Sequence, residues 1–337
     1  MTGKKTLFPL FIILFFTSFN LYALDNKYEN YFSFQIMPQF QIANGVIKEY
    51  VFEDACLNTD NKESQLDWNV KTIAIFNVQA NFDILRYISV GLSASASVPQ
   101  RSGFMQDYDW LNSIGDRYGF PQWLEDDPTE LTNFSDSINR LNKSINFKVS
   151  LGGNIYLPFD FKITPLVSYY YEFIRFTASG GYTSYKWNDF EIGTLTGDVI
   201  SYQQEINAFL LGLNVTADGI PRTSVKLNFE ISPKTTFLNA VDFHYTNQGS
   251  YGTAFWDQFK NIVQIQSNLI AQYKFSKNHR AGISGNIQYI PLSKGNNYSR
   301  EIDKKGNYTG STWYAEAVNG GTQRFIWALG LNYSFSL

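Results

Sequence analysis

The chain has 337 residues, 44% hydrophobic and 17% aromatic, with a formal net charge of −3. That balance, without any basic block, argues against nucleic acid as a partner. Mean hydropathy is −0.23, and beyond the N-terminus no apolar run reaches the ~20 residues that a membrane-spanning helix needs.

Residues 1–23 read as a secretory signal peptide. Lys4 and Lys5 precede an apolar stretch from Leu7 to Phe19, and Leu21-Tyr22-Ala23 supplies small-residue cleavage chemistry. The expected mature chain, 24–337, then forms a single domain. The lone Cys56 cannot make an internal disulfide, so stability must come from closing a sheet on itself. High aromatic content with alternating polarity is the signature of an outer-membrane β-barrel. A soluble sandwich or propeller fits less well, because blade repeats and core-type apolar runs are missing.

The predicted strands follow in order. Phe32 to Tyr50 and Asp67 to Phe82 pair across a polar loop around Glu53 to Ser64. A tight turn at Asp83-Ile84-Leu85 leads into Ile88 to Val98, and a long polar loop runs from Pro99 to about Lys143. Ile145 to Leu157 and Phe161 to Ala178 come next, then a loop over Ser179 to Gln204. Ile206 to Thr216 and Thr223 to Ala240 flank the turn Asp218-Gly219-Ile220-Pro221. After a loop at Asn247 to Lys260, Val263 to Phe275 turns through Lys277-Asn278-His279 into Ala281 to Ile290. A last loop, Ser293 to Gln323, precedes Phe325 to Phe335. The predicted fold is therefore all-β: a ten-stranded antiparallel transmembrane β-barrel with long extracellular loops.

Two acidic motifs border those loops, Asp107-Tyr108-Asp109 and Asp242-Phe243-His244. Residues i and i+2 of a strand share a face. Before the second motif Val225, Leu227, Phe229, Ile231 and Phe237 hold odd positions, and Ser224, Lys226, Asn228, Glu230 and Ser232 hold even ones. If the apolar face meets lipid, Asp242 and His244 point inward. From Ile88 to Val98 the apolar face is even, so Asp107 and Asp109 also turn inward if the register survives Pro99 to Gly103. Four ionisable groups in one cavity at the extracellular mouth suit a water-activating site, with Asp242 orienting His244 as the base.

Other readings stay open. Asp-x-Asp alone also suits a solvated loop or a calcium ion, and Asp-x-His a metal half-site. Only two His occur, and His279 sits in a predicted periplasmic turn, so His244 lacks a second imidazole for a zinc site. No covalent nucleophile has a recognisable context. A non-enzymatic adhesin is the alternative, suited by aromatic-rich loops such as Trp110 to Trp123. A pore is the weakest option, since side chains fill so narrow a barrel.

The residues resemble the omptin family of outer-membrane endopeptidases. The resemblance rests on Met105-Gln106-Asp107-Tyr108-Asp109-Trp110, Asp242-Phe243-His244-Tyr245, Gly45 to Val51, Ser64 to Trp68, and the closing Leu329 to Phe335. It implies a water held between His244 and Asp107, with Asp242 orienting His244 and Asp109 supporting Asp107. It implies no cofactor, a monomer, outer-membrane lipid around the barrel, and peptide or protein substrates of cationic character. Glu49 matches a carboxylate of the family's acidic specificity pocket, but the acidic position two before Asp242 is Ala240 here. A relaxed basic-residue preference is the expectation. Tyr169 fits the family's lipopolysaccharide-binding pattern, whereas Phe173 takes an expected Arg position and Glu172 and Arg175 lie out of register. The pattern does not decide lipopolysaccharide dependence, and a lipid requirement stays open.

Overall fold

The structure, a computed structural model, describes residues 32–52, 62–110, 131–186, 189–245, 251–303 and 305–337. The expected signal peptide and Cys56 lie outside them. Twelve strand segments form one antiparallel sheet that closes where β1 (Phe32–Phe52) pairs with β12 (Tyr314–Ser336). Two pairs of segments merge. β3 (Ile88–Ser97) and β4 (Gln100–Asp109) both lie between β2 (Lys62–Ile84) and β5 (Asn133–Gly153). β5 and the short β6 (Ile155–Leu157) both pair with β7 (Phe161–Tyr185). Twelve segments less two mergers leave the ten walls expected. The rest are β8 (Ile192–Ala217), β9 (Thr223–His244), β10 (Tyr251–Lys274) and β11 (His279–Asp303).

Alternation sorts the residues as lipid demands. Leu227, Phe229, Ile231, Phe209, Leu211, Leu213, Leu329 and Leu331 are large apolar side chains exposed on the outer face. Their even or odd neighbours, among them Glu230, Ser232, Gln264 and Ser334, are buried inside. Hydrocarbon offers no partner to a free backbone amide or carbonyl, so only a closed ladder can cross it. The interior is filled rather than open. Lys148 pairs with Glu230 low in the barrel, and Arg324 pairs with Glu172 higher up. Between these layers lies a cavity of about 150 Å³, lined in part by Gln41, Asn146, Gln266 and Gln288.

The strands run well past their expected ends. β5 begins at Asn133 inside the loop expected to last until Lys143, β7 continues to Tyr185, β10 starts at Tyr251, and β11 reaches Asp303. β1 has 21 residues and β8 has 26, against the ~9–11 that span a bilayer. The sheet therefore stands far out of the membrane at the end distant from Leu337. Above the bilayer polar and aromatic residues occur on both faces, so the alternation that marks a strand in sequence disappears while the ladder persists.

Where the walls leave the apolar band, they are interrupted by bulges. Thr72, Lys234 and Asn261 have positive φ of 57°, 59° and 58°. The Thr72 amide donates to Asn44 Oδ1 at 2.9 Å, beside the register shift between Ala43 and Gly45. Gly45 has φ 150°, and a Cβ there would lie 2.1 Å from the Phe325 carbonyl oxygen across the seam. Gly45→Ala is expected to loosen β1 from β12, at a cost of about 1–3 kcal/mol for forcing that backbone. A lower urea midpoint for the folded, heat-modifiable band on gels would register it, and an unchanged midpoint would refute the close approach.

Candidate active site

Asp107 and Asp109 stand at the end of β4, and their inward aim depends on two irregularities that cancel. Ser95 and Ser102 are both buried, so the inward face changes parity across Val98–Pro99. A second shift follows between Arg101 and Phe104, where Gly103 has φ 75°. Met105 is fully buried, and Asp107 and Asp109 share its face. Asn133 Nδ2 donates to Asp109 Oδ2 at 3.2 Å. Asp107 Oδ1 is sealed from solvent and has no hydrogen-bond partner.

On β9 the parity also survives a bulge. Ser232 pairs with Gln264 but Thr236 with Ile262, so β9 gains two residues and keeps its even face inward. Asp242 is buried, and its Oδ2 is hydrogen-bonded to His244 Nε2. The Phe255 ring meets the imidazole edge-on at 5.3 Å and 84°, which limits its rotation. The His244 side chain keeps 34% of its surface accessible.

The two motifs sit on opposite walls. Glu49 on β1, Leu66 on β2 and Asp107 on β4 occupy one rung. Tyr202, Asp242 and Phe255 occupy another across β8, β9 and β10. The walls are close enough for their charges to act on each other. Burial would lower the His244 pKa, but Asp242, then Asp107 and Asp109, outweigh it and raise it above the ordinary histidine value. Burial holds the Asp107 carboxyl well up, helped by Asp109 and Asp242 and opposed by His244. Asp109 is raised by burial against the hydrogen bonds of Ser64 and Asn133. Like charges crowded at short range disfavour joint ionisation, so Asp107 and Asp109 together hold a proton readily.

Glu49 also faces inward and is 4% exposed. Its carboxyl is held well above the usual range by burial, by Asp242 and by Asp257. Asp257, placed by sequence in a loop, is instead a buried residue of β10. It went unseen because the bulge at Lys260–Asn261 inserts a single residue and turns the odd positions of β10 inward. Trp68 and Tyr202 went unseen as well. Their rings stack at 5.1 Å and 12° beneath the carboxylates. Arg324 and Glu172, with Gln204 and Thr322, close the interior below them. Glu172 is thus an interior residue, while Tyr169 and Arg175 lie on the outer face. Among the described residues no group of three or more His, Cys, Asp or Glu is arranged to hold a metal ion.

The profile of the omptin family matches residues 34–335. Outer membrane protease OmpP of Escherichia coli K12 is 27% identical over 312 residues, covering 87% of each chain. The plasminogen activator of Yersinia pestis is 24% identical over 301 residues, covering 82% of this chain and 87% of its own. The crystal structure of outer membrane protease OmpT from Escherichia coli shares the fold, with a TM-score of 0.73 at 22% identity over 90% of this chain and 97% of that one.

The raised His244 pKa has a definite sign in stability. The ion pair with Asp242 contributes fully below the unfolded histidine value and is lost as pH rises through the higher folded value. In an NMR titration of the two histidines, His244 is expected to titrate above the ordinary range and to move down in Asp242→Asn. A wild-type His244 that titrates at or below the ordinary value would contradict this environment.

Proposed function

Because this chain belongs to the omptin family, whose members are outer-membrane proteases, we propose that it is an outer-membrane endopeptidase that attacks peptide bonds with an activated water. The observation that carries the reading is the hydrogen-bonded Asp242–His244 pair facing the sealed, unpartnered Asp107 Oδ1 across the barrel. A water between them loses a proton to His244 as its oxygen attacks the scissile carbonyl. Asp242 fixes the ring and stabilises the imidazolium, and the imidazolium then protonates the leaving amine. The raised Asp107 carboxyl positions the water and hydrogen-bonds the developing oxyanion, with Asp109 sharing its proton. The steps need only these side chains and water.

The site lies on the sheet beyond the apolar band, at the end distant from Leu337, which supports a mouth that faces the cell exterior. Removal of residues 1–23 as a signal peptide belongs to the same reading. A carboxylate-rich interior favours cationic peptides, cleaved near basic residues, by a monomeric barrel in outer-membrane lipid.

Cleavage of a fluorogenic peptide with an Arg-Arg or Lys-Arg pair tests this directly, with and without outer-membrane lipid. His244→Ala is expected to lose about 10²–10⁴-fold in rate as the base disappears, and Asp107→Ala to collapse similarly. Folded wild type that leaves even an unbiased peptide mixture intact would shift the reading to an adhesin. Binding to a target surface that survives His244→Ala would point the same way.

A further inference from the structure

The lumen at the Leu337 end carries more positive charge than its carboxylates answer. Lys148 pairs with Glu230, Lys162 pairs with Asp83 at 3.0 Å, and at the rim Lys274 and Arg280 share Asp218. Ser168 Oγ donates to the second Glu230 oxygen, so both oxygens of that carboxylate are engaged. Lys226 is the cation left over. It shares one rung with Lys162, Thr216 and Ile270 across β7, β8, β9 and β10. Its neighbour Leu227 is exposed on the lipid face, so Lys226 turns into the lumen. The charges that act on it are those of Lys162, Lys148, Asp83 and Glu230, two positive and two negative, which leaves its own charge uncompensated. Among the described residues Lys226 makes no ion pair and no hydrogen bond.

Lys226 lines a cavity of about 50 Å³ together with Lys148, Asn81, Ser150, Asn228 and Asn268. At the ~10–15 Å³ that each water-sized group needs, this is room for about four such groups, the scale of one small inorganic anion. Gly91 opens the wall, since a Cβ there would lie 2.3 Å from Ser150 Oγ. Two polar atoms of the lining, Asn81 Nδ2 and Asn268 Oδ1, are sealed from solvent and have no hydrogen-bond partner. The cavity thus brings together an ammonium, an idle amide donor and an idle amide acceptor.

An enclosed ammonium without a counter-charge is costly, and it either gives up its proton or takes up an anion. The idle amides favour the anion and select its kind. Chloride and sulfate only accept hydrogen bonds and would leave Asn268 Oδ1 unanswered. Hydrogen phosphate accepts from Lys226 and Asn81 and donates its own O–H to Asn268.

We propose that Lys226, Asn81 and Asn268 form a binding site inside the barrel for one small oxyanion, hydrogen phosphate. The anion supplies the missing counter-charge and ties β2, β9 and β10 together through the lumen. The site lies at the opposite end of β9 from His244 and does not rest on the protease reading.

Urea unfolding of the refolded barrel, followed by heat-modifiable migration, tests this in phosphate, sulfate and chloride at matched ionic strength and pH. Anything that binds only the folded state raises its midpoint in a saturable way. Phosphate and sulfate both strengthen burial at any protein surface, so the excess of phosphate over sulfate isolates the site. Wild type is expected to show that excess, and Lys226→Met and Asn81→Leu to lose it. No excess in wild type, or an equal excess in Lys226→Met, overturns the proposal. A rise with sulfate that equals the rise with phosphate and depends on Lys226 overturns the assignment to hydrogen phosphate. If neither variant folds, phosphorus-31 NMR of inorganic phosphate with wild type in a phosphorus-free detergent decides. Saturable broadening that sulfate does not compete away sustains the site, and a line that stays sharp removes it.

Discussion

Everything in this molecule depends on the seam between β1 and β12. A sheet in hydrocarbon cannot leave an edge unpaired, so the first strand must find the last, and Gly45 meets Ile326 across the whole length of the sequence. Once the ring is closed, every second residue has no choice but to face inward. The interior must then be packed with polar groups that satisfy one another. Lys148 with Glu230 and Arg324 with Glu172 are the result. A narrow barrel packed in this way is a rigid stand.

The proposed site is mounted above that stand. Beyond the apolar band the strands no longer answer to lipid, and bulges can change which residues look inward. They do so unequally. The irregularities at Pro99 and Gly103 come as a compensating pair, and the β9 insertion adds two residues, so neither changes the final parity. The bulge at Lys260–Asn261 adds one and does change it. The acidic lining of the mouth is thus partly a product of strand alternation and partly of its deliberate interruption.

That difference explains how much could be read from the sequence. The ten walls and the inward aim of Glu230 or Gln264 follow from a two-residue period enforced by lipid. Asp107, Asp109, Asp242 and His244 were legible because compact motifs drew attention to them and because their bulges cancel. Asp257 was not. Extending the even-numbered inward face of Gln264, Gln266 and Asn268 backwards turns Asp257 outward, and only the ladder reveals the single inserted residue. Strand ends were misjudged for a related reason. From Tyr251 to Gln258 and from Lys294 to Asp303 polar residues occupy both faces, so the backbone pairing leaves no trace in side-chain pattern.

The seam also has a consequence in time. Glu49 belongs to the first strand, Asp107 to the third wall, and Asp242, His244 and Asp257 to the seventh and eighth. These groups are neighbours only through the closed ring, since Glu49 reaches Asp242 across its interior. A chain in transit, unfolded or half assembled, carries its site in pieces. For the proposed site, latency is a property of the topology: its carboxylates and imidazole come together only when the last strand docks on the first.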